Sequence, residues 1–216
     1  MLSIIGKPAT GKSAIAFLIS SFISKHIFYS TQAEALDREN LEALRNEIKN
    51  SKRRKIVLLL DDFSFAVTGR SKKDRERLKN LMELRHILFE DKRYYIILIG
   101  HYVRSLAPVL RSSHIKVLTY LDAAELNLYL NEYMFSQSSL LAYFEYLQEK
   151  QHEKLYLVSF GTYEKIMNLT FTNIRQLTQR KRMKTIGPWT LYKMRFGKRK
   201  LLNINNNNMK NEVSAK

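Results

Sequence analysis

Gly6-Lys7-Pro8-Ala9-Thr10-Gly11-Lys12-Ser13 follows the apolar run Leu2-Ser3-Ile4-Ile5 and leads into Ala14-Ile15-Ala16-Phe17-Leu18-Ile19, whose apolar residues continue at helical spacing. The octet satisfies G-x-x-x-x-G-K-[ST] in the setting that pattern needs: a strand, a tight loop, then a helix whose first turn aims its N–H groups at phosphate oxygens. Glycines at 6 and 11 let the backbone come close to a ligand that a side chain would keep away. Gly6, Lys7, Pro8, Ala9, Thr10, Gly11, Lys12, Ser13 and Ala14 are therefore read as a phosphate cradle. Lys12 reaches the β- and γ-phosphates, and the Ser13 hydroxyl helps to hold Mg²⁺. The expected ligand is a nucleoside triphosphate.

A second motif belongs with the first. Ile56-Val57-Leu58-Leu59-Leu60 is an unbroken apolar run ending in Asp61-Asp62. A strand apolar on both faces sits inside a parallel sheet covered by helices, and in such sheets ligands gather at the carboxyl ends of the strands. Asp61 is the expected Mg²⁺ carboxylate, acting through water, and Asp62 the group that orients or deprotonates the attacking water. Tyr94-Tyr95-Ile96-Ile97-Leu98-Ile99 is a further buried strand ending in Gly100-His101, which makes His101 the candidate γ-phosphate sensor.

Between these motifs the pattern alternates. His26 to Ser30 reads as a strand, and Ala33 to Lys49 as one amphipathic helix carrying Leu36, Leu41, Leu44 and Ile48. Thr68 to Lys73 is a basic loop, and a helix runs from Asp74 to Leu88. Val103 to Ser113 is a short helix or broken turn around Pro108. Ile115 to Thr119 is the next strand, and Asp122 an N-cap before a helix from Leu126 to Met134. Ser139 to Lys150 is a further helix, and Leu155 to Ser159 the last strand expected in the sheet. Strands alternating with helices give an α/β fold, a three-layer P-loop NTPase whose central, mostly parallel sheet is flanked by helices.

The 216 residues contain no cysteine, which excludes disulfides and thiolate metal sites and suits an intracellular or a thermally stressed protein. No His pair has metalloprotease spacing. No apolar run approaches the ~20 residues of a membrane helix, and the amino-terminal apolar segment runs into the loop, unlike a signal peptide. A soluble protein is expected. The net charge is +17, and from Lys165 to Asn211 there are twelve Lys and Arg with no Asp or Glu. That is the footprint of a polyanion partner. Arg180, Lys181, Arg182 and Lys184, followed by Trp189, Tyr192, Arg195 and Phe196, suit phosphates and stacked bases; they suit equally an arm lying on a neighbouring subunit. Arg70, Lys72 and Lys73 are a second candidate nucleic-acid contact. The expected organisation is a P-loop core over 1–165, a basic extension over 166–202 and a disordered, Asn-rich tail over 203–216.

No Asn-Lys-x-Asp base-reading motif occurs, so ATP is preferred to GTP, and a basic terminal third has no role in a small-molecule kinase. The order of loop, paired acids and a strand with a polar end fits the additional-strand ATPases. Together with Arg104 and Arg111 these segments resemble the compact genome-packaging ATPases of membrane-containing viruses, in the FtsK–HerA superfamily, over roughly residues 1–160. The resemblance implies a homo-oligomeric ring, a hexamer, that hydrolyses ATP with Mg²⁺ to drive double-stranded DNA into a preformed capsid. Capsid-vertex or membrane-associated viral proteins are its implied partners, and the host cytoplasm or the virion its place. It also implies an arginine acting on a neighbour's γ-phosphate, with Arg104, Arg111 and Arg85 as candidates. The chain departs from that superfamily at His101, where an amide is usual. An AAA+ replication initiator or helicase loader is the alternative, and a helical lid after the sheet would mark it. A non-catalytic, nucleotide-gated scaffold is the third reading, and it leaves Asp62 without a use.

Overall fold

Strands with apolar residues on both faces take the middle of the sheet, and the chain places its helices to cover them. The computed structural model describes residues 1–49, 54–63, 70–88, 92–101, 113–120, 122–131, 135–149, 155–168 and 179–195. The strands are β1 (Leu2–Ile5), β2 (His26–Ser30), β3 (Lys55–Leu60), β4 (Arg93–Gly100), β5 (Ile115–Leu118), β6 (Leu155–Phe160), β7 (Tyr163–Asn168), β8 (Gln179–Ile186) and β9 (Trp189–Arg195). They form one sheet in the order β7-β6-β5-β1-β4-β3-β2-β9-β8. The five central strands, β5-β1-β4-β3-β2, are mutually parallel. Among the described strands only β6 and β9 run against them, because β6–β7 and β8–β9 are hairpins added to the two edges. The expected α/β architecture with a mostly parallel sheet is present, and β4 is the additional strand between β1 and β3.

The helices are α1 (Lys12–Ile23), α2 (Arg38–Lys49), α3 (Lys72–Met82), α4 (Leu84–Ile87), α5 (Ala123–Asn131) and α6 (Gln137–Glu149). Ile15, Ala16, Phe17 and Leu18 of α1 pack on one sheet face with Leu2, Ile4, Val57, Leu59, Ile97 and Ile99. The alternate strand residues, among them Ile5, Leu58, Leu60 and Leu98, meet Leu41, Leu44 and Ile48 of α2, Leu81 of α3 and Leu140 and Tyr143 of α6 on the other. This is three layers, arising from the two-residue period of the strands against helical stripes.

Three expectations need correction. The single helix from Ala33 to Lys49 is a 3-10 turn (Ala33–Leu36) followed by α2, broken at Asp37, which is extended at φ −68, ψ 144. Asp37 leaves the helix because its carboxylate is gripped by Arg77 of α3, with Nε to Oδ1 at 2.7 Å and Nη2 to Oδ2 at 3.1 Å. The helix from Asp74 to Leu88 is likewise two helices meeting at Glu83, and it starts earlier, where Ser71 Oγ accepts the Asp74 N–H at 2.9 Å. Leu155 to Ser159 is not the last strand: β7, β8 and β9 follow it.

β9 is inserted beside β2, with Ile27 opposite Tyr192 and Phe28 opposite Leu191. Gly187 and Pro188 form a two-residue turn between Ile186 and Trp189. Trp189 is fully buried, and its indole N–H donates to Ala35 O at 3.2 Å. β8 is the outermost strand, and Arg180 through Thr185 are exposed on it. A charged outer strand protects a sheet edge from pairing with other chains.

Candidate active site

The carboxyl ends of the parallel strands gather the functional side chains. β1 leads into the phosphate loop, β3 into Asp61, β4 into His101 and β5 into Thr119. Gly6 has φ 144, and a Cβ there would collide with Thr119 Oγ1 and lie 3.2 Å from the Tyr120 N. Only glycine fits. Gly11 caps α1 in the left-handed region at φ 85. Thr10 Oγ1 donates to Lys7 O at 2.8 Å and lies 2.6 Å from Thr119 Oγ1, so β5 holds the loop from the side.

Lys12 is buried, and its ammonium donates to Lys7 O inside the loop. Burial pushes its pKa down to about 8, against the pull of Asp61 and Asp62. A desolvated cation facing two carboxylates within a cradle of backbone is a phosphate site by its chemistry. Ser13 Oγ donates to Asp61 Oδ2 at 2.7 Å. A hydroxyl and a carboxylate side by side are the hard oxygen ligands that Mg²⁺ takes, so these residues fit that ion. Tyr29 donates to the same Asp61 oxygen at 3.2 Å. Burial raises the Tyr29 pKa, and the neighbouring carboxylate raises it further.

Asp62 is held at φ 55, an uncommon conformation for a residue with a side chain but one that aspartate tolerates. Its N–H donates to Asp61 Oδ1 at 3.0 Å. His101 Nε2 is hydrogen-bonded to Asp62 Oδ1. An ionised carboxylate can only accept, so Nε2 carries the proton in that contact. The additional strand is what brings them together, since β4 sets His101 between the phosphate loop and the paired acids.

The structure thus assembles Lys12, Ser13, Asp61, Asp62 and His101 within one site. Arg104 and Arg111 lie outside the described residues, as do Thr68 and Gly69 and the Arg85 side chain. The candidate nucleic-acid residues Arg70, Lys72, Lys73, Arg180, Lys181, Arg182 and Lys184 are all exposed. Lys73 is paired with Asp37 at 3.3 Å and Lys184 with Glu47 at 2.7 Å. Arg180 lies over the Phe17 and Tyr192 rings, at 4.3 and 5.3 Å from their centroids. Sequence reasoning missed Thr119, Tyr120 and Tyr29, and saw in Asp122 only a helix cap. The Asp122 carboxylate holds the Lys7 ammonium, which also lies 5.3 Å from the Tyr120 ring centroid. The signal for Thr119 and Asp122 was their place just after an apolar strand; Tyr29 gave none.

Among the described residues no cluster of three His, Asp or Glu could hold a metal unaided, and no helix is long and apolar enough to cross a membrane. The family model of the ATPase family associated with various cellular activities (AAA) matches residues 2–122. The fold is similar to that of B204, the DNA-packaging ATPase of Sulfolobus turreted icosahedral virus, at 17% identity and a TM-score of 0.51, over 76% of this chain and 95% of that one. It is similar also to the genome packaging NTPase B204 of Sulfolobus turreted icosahedral virus 2. With sulfate the values are 14% and 0.51, over 79% and 95% of the two chains; with AMP they are 14% and 0.50, over 79% and 96%. No curated protein matches the sequence.

Proposed function

Because the chain belongs to the ATPase family associated with various cellular activities (AAA), we propose that it is an ATP-driven motor that moves double-stranded DNA, packaging a viral genome into a preformed capsid as a ring of identical subunits. The observation that carries this reading is the extent of the likeness to B204. It covers 95% of that chain and 76% of this one, well past the residues shared with the AAA family. The way the chain leaves the nucleotide core also supports it. After β5, α6 packs on β6 and β7 of the same sheet, where a replication initiator would raise a separate helical lid.

In this reading ATP lies along the loop, its β- and γ-phosphates met by Lys12 and by backbone N–H groups. Ser13 and Asp61 would hold Mg²⁺, which would supply positive charge to offset that of the phosphates. Asp62 orients a water in line with the γ-phosphorus and accepts its proton as the γ-phosphoryl group passes to the water and ADP leaves. His101 fixes the Asp62 carboxylate and senses the γ-phosphate. An arginine of a neighbouring subunit, Arg104, Arg111 or Arg85, stabilises the developing charge, a contribution of about 10³–10⁵-fold in rate. Arg70, Lys72 and the exposed cations of β8 contact the DNA backbone without reading bases.

The test is ATP turnover by the purified chain with and without long duplex DNA. Duplex should raise turnover, and Asp62→Asn should cut it by about 10²–10⁴-fold while leaving nucleotide binding intact. Turnover indifferent to duplex, or surviving the substitution, would discard the motor. It would favour an AAA+ replication initiator or helicase loader, the second reading that the family match supports.

A further inference from the structure

We propose that Tyr29 is a positioning residue for Asp61, and that the carboxyl-terminal hairpin holds Tyr29 in place through three aromatic rings capped by Arg180. The inference rests on the reading of Ser13 and Asp61 as Mg²⁺ ligands, and goes beyond it to what sets the carboxylate's orientation.

The contacts form an unbroken chain. Asp61 Oδ2 accepts from both Ser13, at 2.7 Å, and Tyr29, at 3.2 Å, so one oxygen is fixed from two directions. The Tyr29 ring lies 5.3 Å from Phe17 and 5.9 Å from Tyr192, and Phe17 and Tyr192 meet edge-on at 5.8 Å. These are separations at which aromatic pairs attract. Phe17 stands one helical turn beyond Ser13 on α1, on the same face. The cluster therefore braces the helix that carries the hydroxyl as well as the strand that carries the phenol. On its outer side the Arg180 guanidinium covers Phe17 and Tyr192, where a cation over ring faces is favoured.

Packing alone does not explain the phenol. A phenylalanine would fill the ring's place in the stack, and the hydroxyl is spent on the Asp61 carboxylate. Arg180 belongs to the outermost strand, and its guanidinium lies over the Phe17 and Tyr192 rings. Tyr192 and Arg180 lie in the hairpin, which among the described residues is the part most distant in sequence from the phosphate loop. The carboxyl-terminal residues are thereby wired to the metal side of the site.

The test uses the full chain and a fluorescent, non-hydrolysable ATP analogue, titrated with Mg²⁺ and with EDTA. Removing one hydrogen bond to a carboxylate changes an equilibrium by about tenfold or more. Tyr29→Phe should therefore lower affinity about tenfold in Mg²⁺ and leave it unchanged in EDTA. Arg180→Ala should lower the Mg²⁺ affinity about threefold, from the lost cation–ring contact at an exposed site. The double variant should be no worse than Tyr29→Phe alone, because both act on one carboxylate. Lys193→Ala removes a cation from the opposite face of the same hairpin and should change neither affinity. Equal losses in Mg²⁺ and EDTA, no loss in Tyr29→Phe, or full additivity of the two substitutions would each overturn the inference while leaving the ATPase reading intact. A wild-type chain that binds no nucleotide in either condition would remove that reading and the inference together.

Discussion

Replacing Trp189 by alanine asks whether the basic carboxyl-terminal residues are built into the sheet or merely attached to it. Trp189 is the only tryptophan of the chain, is fully buried and donates to Ala35 O at 3.2 Å. A buried indole ring removes some 150–250 Å² from water, which at about 25 cal/mol per Å² is about 4–6 kcal/mol. Trp-to-Ala substitutions in cores cost about 3–5 kcal/mol, and the lost N–H bond is contained in that range. With about 4 kcal/mol lost and a urea slope of about 3 kcal/mol/M, the unfolding midpoint should fall by about 1.3 M. A loss of about 4 kcal/mol is a large part of the 5–15 kcal/mol typical of a folded domain. Circular dichroism in urea measures the shift. Wild-type fluorescence adds an independent reading, since the one indole should emit at short wavelength and resist quenching by iodide. A midpoint within about 0.2 M of wild type, or an emission spectrum of indole in water, would refute the pairing of β9 with β2.

Two further predictions concern the packing around the site. Arg77, 6% exposed, holds Asp37 in two hydrogen bonds, and these keep the Asp37 carboxyl below its ordinary range. A carboxylate whose folded pKa is depressed stabilises the fold above its unfolded pKa, near 4, and loses that contribution as pH falls through the folded value. Asp37→Asn should cost about 2 kcal/mol at pH 7 by removing the two-pronged carboxylate partner of a buried guanidinium that keeps only Glu34, at 3.3 Å, in hydrogen-bond reach, and should flatten the acid limb of stability measured by urea melts at successive pH values; an unchanged acid limb would count against the pair. Gly6→Ala should lower ATP-analogue affinity by more than about tenfold, because alanine at φ 144 is strained and meets Thr119. Adding Thr119→Ala to that variant should restore only part of the loss, and full restoration would show that φ plays no role.

What could be read in advance followed the density of local signal. The phosphate loop, the apolar run into Asp61-Asp62 and the strand into His101 each carry their structure in adjacent residues, and all three stand where expected. The β8–β9 hairpin does not announce itself. Gln179 to Ile186 is nearly all polar because an outermost strand faces water, and it reads as solvated charge. Trp189, Leu191, Tyr192 and Met194 of β9 face both sides of the sheet, so the alternation of a half-buried strand is absent. The Gly187-Pro188 pair between two short runs was the signal available, a two-residue hairpin turn. Asp37 was illegible for another reason: its partner lies 40 positions along the chain, and helical periodicity cannot see a distant guanidinium. The same holds for Tyr29, whose role depends on the end of a strand with which it does not share a motif.

The insertion of β9 beside β2 has a consequence for synthesis. β2 ends at Ser30 and β9 begins only at Trp189, so the strand that carries Tyr29 has one row of backbone N–H and C=O groups unanswered until the long stretch of chain between them has been made. During that interval the nascent sheet offers an open side to any extended segment nearby. Long-range pairing of this kind is slow to form. A chain cut short before residue 189 would be left permanently in that state, with a complete phosphate loop and a sticky flank, and its natural fate is self-association.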